Sequence, residues 1–101
     1  MAQFDVYKNL NDTTNQQIPY LLDIQNDILR NLNTRVVVPL IKDIDIIKNL
    51  NPKFKIEGEY YIMSTSELAT IPVGILEDKV TSLKEKRADI INAIDFMITG
   101  F

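Results

Sequence analysis

Thr34-Arg35-Val36-Val37-Val38-Pro39-Leu40 is the stretch from which the rest of the chain is best read. Three consecutive valines carry branched Cβ atoms that favour extended backbone, so the segment is a strand. Pro39 has no amide donor and is expected to close off further ladder pairing. The stretch is the most secure strand in the chain.

Upstream, Phe4-Asp5-Val6-Tyr7-Lys8 alternates apolar and polar residues, the polar run Asn9 to Gln17 supplies a loop, and Tyr20 to Gln25, entered through Pro19, forms the second arm of a hairpin. Asn31-Leu32-Asn33 then punctuates the chain before the valine strand. Downstream, Ile44, Ile47 and Leu50 recur at helix-like spacing, but the segment is short and ends at Asn51-Pro52, so it is read as a connection. Lys53 to Ile56 and Tyr60 to Met63 flank Glu57-Gly58-Glu59, where glycine can take positive φ, which predicts a second hairpin. Ser64 to Thr70 is too polar and short for a core helix, and Ile71 to Leu76 reads as one last strand, at a sheet edge because of Pro72.

The period changes after that. Ser82-Leu83-Lys84-Glu85 has the form of a capping box, which predicts a helix start, and Leu83, Ile90, Ile91, Ile94, Met97 and Ile98 then fall on one stripe ending at a capping Gly100. Short strands followed by one helix, without strand–helix alternation, give an α+β class that is mostly antiparallel β. Residues 1–101 are expected to form one domain.

Composition narrows the function. A 101-residue chain that is 46% hydrophobic makes a modest core, so self-association is expected on size alone. The net charge is -3 and the basic residues are scattered, a poor footprint for phosphate binding, which favours a protein partner over nucleic acid. No cysteine or histidine is present, removing thiolate chemistry and the commonest general base and metal ligand. No cofactor or metal is expected. No stretch approaches the roughly 18 apolar residues of a membrane helix, and the N-terminus lacks a leader pattern, so a cytoplasmic protein without membrane contact is expected.

The remaining chemistry-bearing residues have plainer readings. Glu57 with Glu59 and Asp43 with Asp45 are read as solvated loop charge rather than acid–base pairs. Ser64, Thr65 and Ser66 have no activating base nearby, so turn and cap duty explains them. Arg30, Arg35 and Arg87 could clamp a phosphate, but solvated ion pairing is the stronger reading. Phe96-Met97-Ile98-Thr99-Gly100-Phe101 places large apolar side chains at the chain's end. Two readings stand equally there: completion of the core or a dimer interface, and an exposed anchor for a partner.

Several strings, in order, resemble the CcdB toxin family, whose antitoxin partner is CcdA. They are Phe4-Asp5-Val6-Tyr7, Asp23-Ile24-Gln25-Asn26-Asp27-Ile28-Leu29, Arg35-Val36-Val37-Val38-Pro39-Leu40, Met63 to Val73, and Asn92-Ala93-Ile94-Asp95-Phe96-Met97. The resemblance implies an SH3-like barrel sheet with a smaller sheet and one C-terminal helix, an architecture shared with the MazF family, assembled as a symmetric homodimer. It implies a plasmid-maintenance toxin that is not an enzyme. The paired helix tips would enter between the two DNA gyrase A subunits and trap the gyrase–cleaved DNA complex. A CcdA-like antitoxin would wrap a disordered segment over the toxin, and the two together would repress their operon, so operator DNA is met only through that complex. Carried over by position, the gyrase-binding residues are Asn26, Ile28, Asp95, Ile98, Thr99, Gly100 and Phe101. Thr99 stands where the best-known member has tryptophan, and Phe101 where the family tends to have isoleucine. The loop Asn9 to Pro19 is longer than in that member and the connection Ile41 to Asn51 shorter, both where antitoxin contacts are expected. The alternatives are a MazF-like mRNA endoribonuclease and a non-toxic homologue that only binds antitoxin.

Overall fold

The computed structural model describes residues 2–100. Seven strands are followed by one helix: β1 Asp5–Lys8, β2 Tyr20–Asp23, β3 Thr34–Ile41, β4 Lys53–Ile56, β5 Glu59–Met63, β6 Ala69–Pro72, β7 Lys79–Ser82 and α1 Arg87–Thr99. The strands run β4-β5-β3-β2-β1-β7 across a curled, antiparallel half-barrel sheet, with β6 branching from β3. The α+β, SH3-like class read from the sequence is the observed one. The smaller sheet implied by the resemblance is not separate among the described residues: β6 pairs with β3 within the one seven-stranded sheet.

β3 is the hub because both its edges are used. β2 pairs along Val37–Leu40, while the opposite edge meets β6 at Thr34–Val37 and β5 at Leu40–Ile41. Pro39 does not end the ladder as expected: Leu40 still pairs with Tyr20 and with Met63. The proline nitrogen falls on the edge where β6 has ended and β5 begins. There its carbonyl accepts from the Ser64 N–H at 2.9 Å, and no ladder donor is missed.

Alternation along the central strands covers both faces of the sheet. Val6, Leu22, Val38 and Leu40 face a core closed by Phe54, Ile56, Met63, Leu83, Ile90 and Ala93. The neighbouring residues Tyr7 and Val37 point the other way and pack with Leu76, Leu21 and Ile71. Tyr20 meets Tyr61 edge to face with ring centroids 5.0 Å apart. The hairpin joining β4 to β5 turns on two residues, Glu57 at φ 50 and Gly58 at φ 87, which suits the mirror-type turn that right-twisted strands require.

Four local expectations are corrected. Ile71 to Leu76 is strand only as far as Pro72, after which Val73–Ile75 forms a 3₁₀ turn. The last strand is β7, whose Lys79-Val80-Thr81-Ser82 has too few large apolar residues to announce an edge strand, and among the described residues it pairs only with β1. Ser82 does not cap the helix. A 3₁₀ turn occupies Lys84–Lys86 and α1 begins at Arg87 with no side-chain cap, while the Ser82 hydroxyl accepts only the Lys84 N–H at 3.3 Å. Ile98 leaves the buried stripe: α1 buries Ile90 and Ala93 and half-buries Phe96 and Met97, while Ile98 turns outward.

Candidate functional site

The gyrase-facing candidates fall into two groups. Asp95, Ile98 and Thr99 lie at the end of α1 and Gly100 caps it, all solvent-exposed, with Ile98 at 72%. The Thr99 hydroxyl donates to the Asp95 carbonyl at 2.7 Å, so it is turned back on its own helix and leaves its methyl group outward. Gly100 closes the helix in the left-handed region, at φ 80, with its N–H on the Phe96 carbonyl at 2.8 Å. Phe101 lies outside the described residues.

Asn26 and Ile28 form the second group, on the 3₁₀ turn Asp27–Leu29 between β2 and β3. The Asn26 side chain accepts the Ile28 N–H at 2.9 Å and caps the turn. Ile28 is 82% exposed, with Leu29 and Leu32 also on the surface beside it. Among the described residues, no hydrogen bond or ion pair joins this knuckle to the helix tip.

Beneath the knuckle lies a polar network that the sequence reading missed. Arg35 is 1% exposed and fully sequestered Asp23 takes its Nη2 at 2.7 Å and its Nε at 2.9 Å. The expected solvated ion pair is therefore a buried one, because alternation along β3 turns Arg35 to the inside beside β2. Burial pushes the Asp23 carboxyl upward, opposed by the Arg35 guanidinium and the Gln25 N–H. Burial, with the Asp5 and Asp23 carboxylates, also raises the Tyr7 phenol to about 12. Tyr20 rises to about 12 through partial burial and its hydrogen bond to Glu57.

The other chemical candidates do not assemble. Arg30 and Arg87 are exposed while Arg35 is neutralised inside, so the three make no clamp. Glu59 is held by Lys42 at 2.9 Å, which lowers its carboxyl, and Asp43 and Asp45 are exposed on the connection. The Ser64 hydroxyl donates to Glu67 at 2.7 Å and the buried Thr65 hydroxyl to the Leu50 carbonyl, both in turn duty. No group of three metal-binding side chains occurs among the described residues, and no helix among them is long and apolar enough to cross a membrane.

A groove of about 640 Å³ lies between the Asn9–Pro19 loop and the start of the 41–51 connection, lined by Gln16, Ile18, Pro19, Ile41, Ile44 and Tyr61. The CcdB protein family model matches residues 3–100 of the chain. The chain belongs to the CcdB family. It is thus a toxin of a toxin–antitoxin system, with an antitoxin as partner. The five strings that carried the resemblance fall on β1, β2 with the knuckle, β3, β5 to β6, and α1.

Proposed function

We propose that this CcdB-family chain poisons DNA gyrase by binding its A subunit and trapping the complex with cleaved DNA, without catalysing a reaction itself. The carrying observation is the last turn of α1: it places Ile98 72% exposed on a helix otherwise anchored by Ile90 and Ala93. A large apolar side chain held this way on a rigid element is suited to anchor in a partner's pocket. Asn26, Ile28, Asp95, Ile98, Thr99, Gly100 and Phe101 form the binding set, with two copies of the chain presenting paired tips as a homodimer. The antitoxin's disordered segment uses the groove between the Asn9–Pro19 loop and the 41–51 connection.

The test mixes purified protein with gyrase, supercoiled DNA and ATP, then adds detergent and protease and looks for linear DNA. Protein-dependent linear DNA, lost on deleting the last three residues while antitoxin binding persists, supports the reading. A folded dimer that yields no linear DNA refutes it.

A further inference from the structure

The Asp23–Arg35 pair is difficult to explain as a source of stability. Desolvating two charges costs several kcal/mol per ion, and apolar replacements of such pairs are often neutral or stabilising. What the pair does is hold a loop. Arg35 Nη2 also donates to the Gln25 carbonyl at 3.4 Å and stands 3.8 Å from Asp27 Oδ1. Asp23 Oδ1 accepts the Gln25 N–H at 3.0 Å. The Gln25 side chain then spans the loop, accepting the Val36 N–H at 3.1 Å and donating to the Leu29 carbonyl at 3.1 Å.

A second clamp comes from the N-terminus. Phe4, buried and non-glycine, sits at φ 71, a left-handed conformation that costs of order 1–2 kcal/mol. The residue before it, Gln3, sends its N–H to Asp27 Oδ1 at 2.8 Å and its side-chain amide to the Ile24 carbonyl at 3.1 Å. Residues 24–29 are thereby fixed from β2, β3 and the N-terminal turn at once, while the apolar side chain they present, Ile28, touches almost nothing in its own chain.

We propose that Asp23, Arg35, Gln25 and Asp27 form a latch that pre-sets the Asn26–Ile28 knuckle for its protein partner, with Arg35 and Asp27 as positioning residues that do not touch the partner themselves. Ordering the loop before binding removes a cost otherwise met on association. Naming gyrase A as the partner rests on the reading above; the pre-setting of the loop does not.

The experiment compares the full chain with Asp27→Ala, Asp27→Asn and the apolar double replacement Asp23→Leu/Arg35→Met. Thermal unfolding, amide exchange at Ile28, Leu29 and Arg30, and gyrase A affinity are measured for each. The double variant should keep or raise its Tm yet lose about tenfold or more in both amide protection and affinity. Asp27→Ala, which spares the core, should show the same losses, and Asp27→Asn, which keeps an acceptor for the Gln3 N–H, should restore most of them. Unchanged exchange in Asp27→Ala, or affinity losses that merely track stability, overturns the latch, and Asp27→Ala decides the matter if the double variant does not fold. Failure of the native chain to bind gyrase A removes that partner, while faster exchange in Asp27→Ala upholds the latch independently.

Discussion

Truncating Ile98 to alanine should separate binding from folding. The change removes three carbons, worth about 2.4 kcal/mol when fully transferred from water to an apolar pocket. With Ile98 72% exposed in the free chain, roughly three-quarters of that is still available to a partner, or about 1.7 kcal/mol. The expected loss of gyrase A affinity is therefore about 15- to 20-fold for each tip that engages. Stability should stay within about 0.5 kcal/mol, because little packing is lost and alanine is the better helix former. Ile90→Ala is the contrast: at 0% exposure in the core it should cost about 2–5 kcal/mol of stability. Titration calorimetry against the gyrase A subunit, with urea unfolding of the same preparations, reads both quantities. Affinity unchanged in Ile98→Ala, or affinity and stability falling together, would refute the placing of the anchor at the helix tip.

Thr99→Trp should strengthen gyrase A binding by about 5- to 30-fold, since it exchanges a methyl and a self-satisfied hydroxyl for an aromatic face able to stack on a cation; unchanged affinity counts against Thr99 facing the partner. Gly100→Ala should cost about 1 kcal/mol in urea unfolding, arising from backbone conformation alone, because an added Cβ would meet nothing within 4 Å at φ +80. Stability should fall as pH rises from about 10 to about 12. Native Tyr7 keeps its proton to about 12 while the unfolded chain loses it near 10.0, so the native state binds more protons in that window. The contribution, about 2–3 kcal/mol, is complete below pH 10, and Tyr7→Phe should flatten the decline in urea midpoints measured across it.

The sequence by itself determined what depends on local chemistry and period. The valine run made β3, Gly58 and its neighbours made the hairpin, the late change of period made α1, and Gly100 ended it, each through backbone preferences or side-chain spacing that need no partner. The ordered strings likewise carried the family. What depends on which strands meet was decided only in three dimensions. Pro39 continues a strand because its donorless edge coincides with the gap between β6 and β5, β7 exists because β1 offers it an edge, and Ile98 is surface because α1 packs through Ile90 and Ala93 instead. The same holds beneath the candidate site: a lone arginine twelve residues from an aspartate reads as surface charge, and only the pairing of β2 with β3 removes both from water. Burial and ion pairing belong to the sheet's register, which local sequence does not encode.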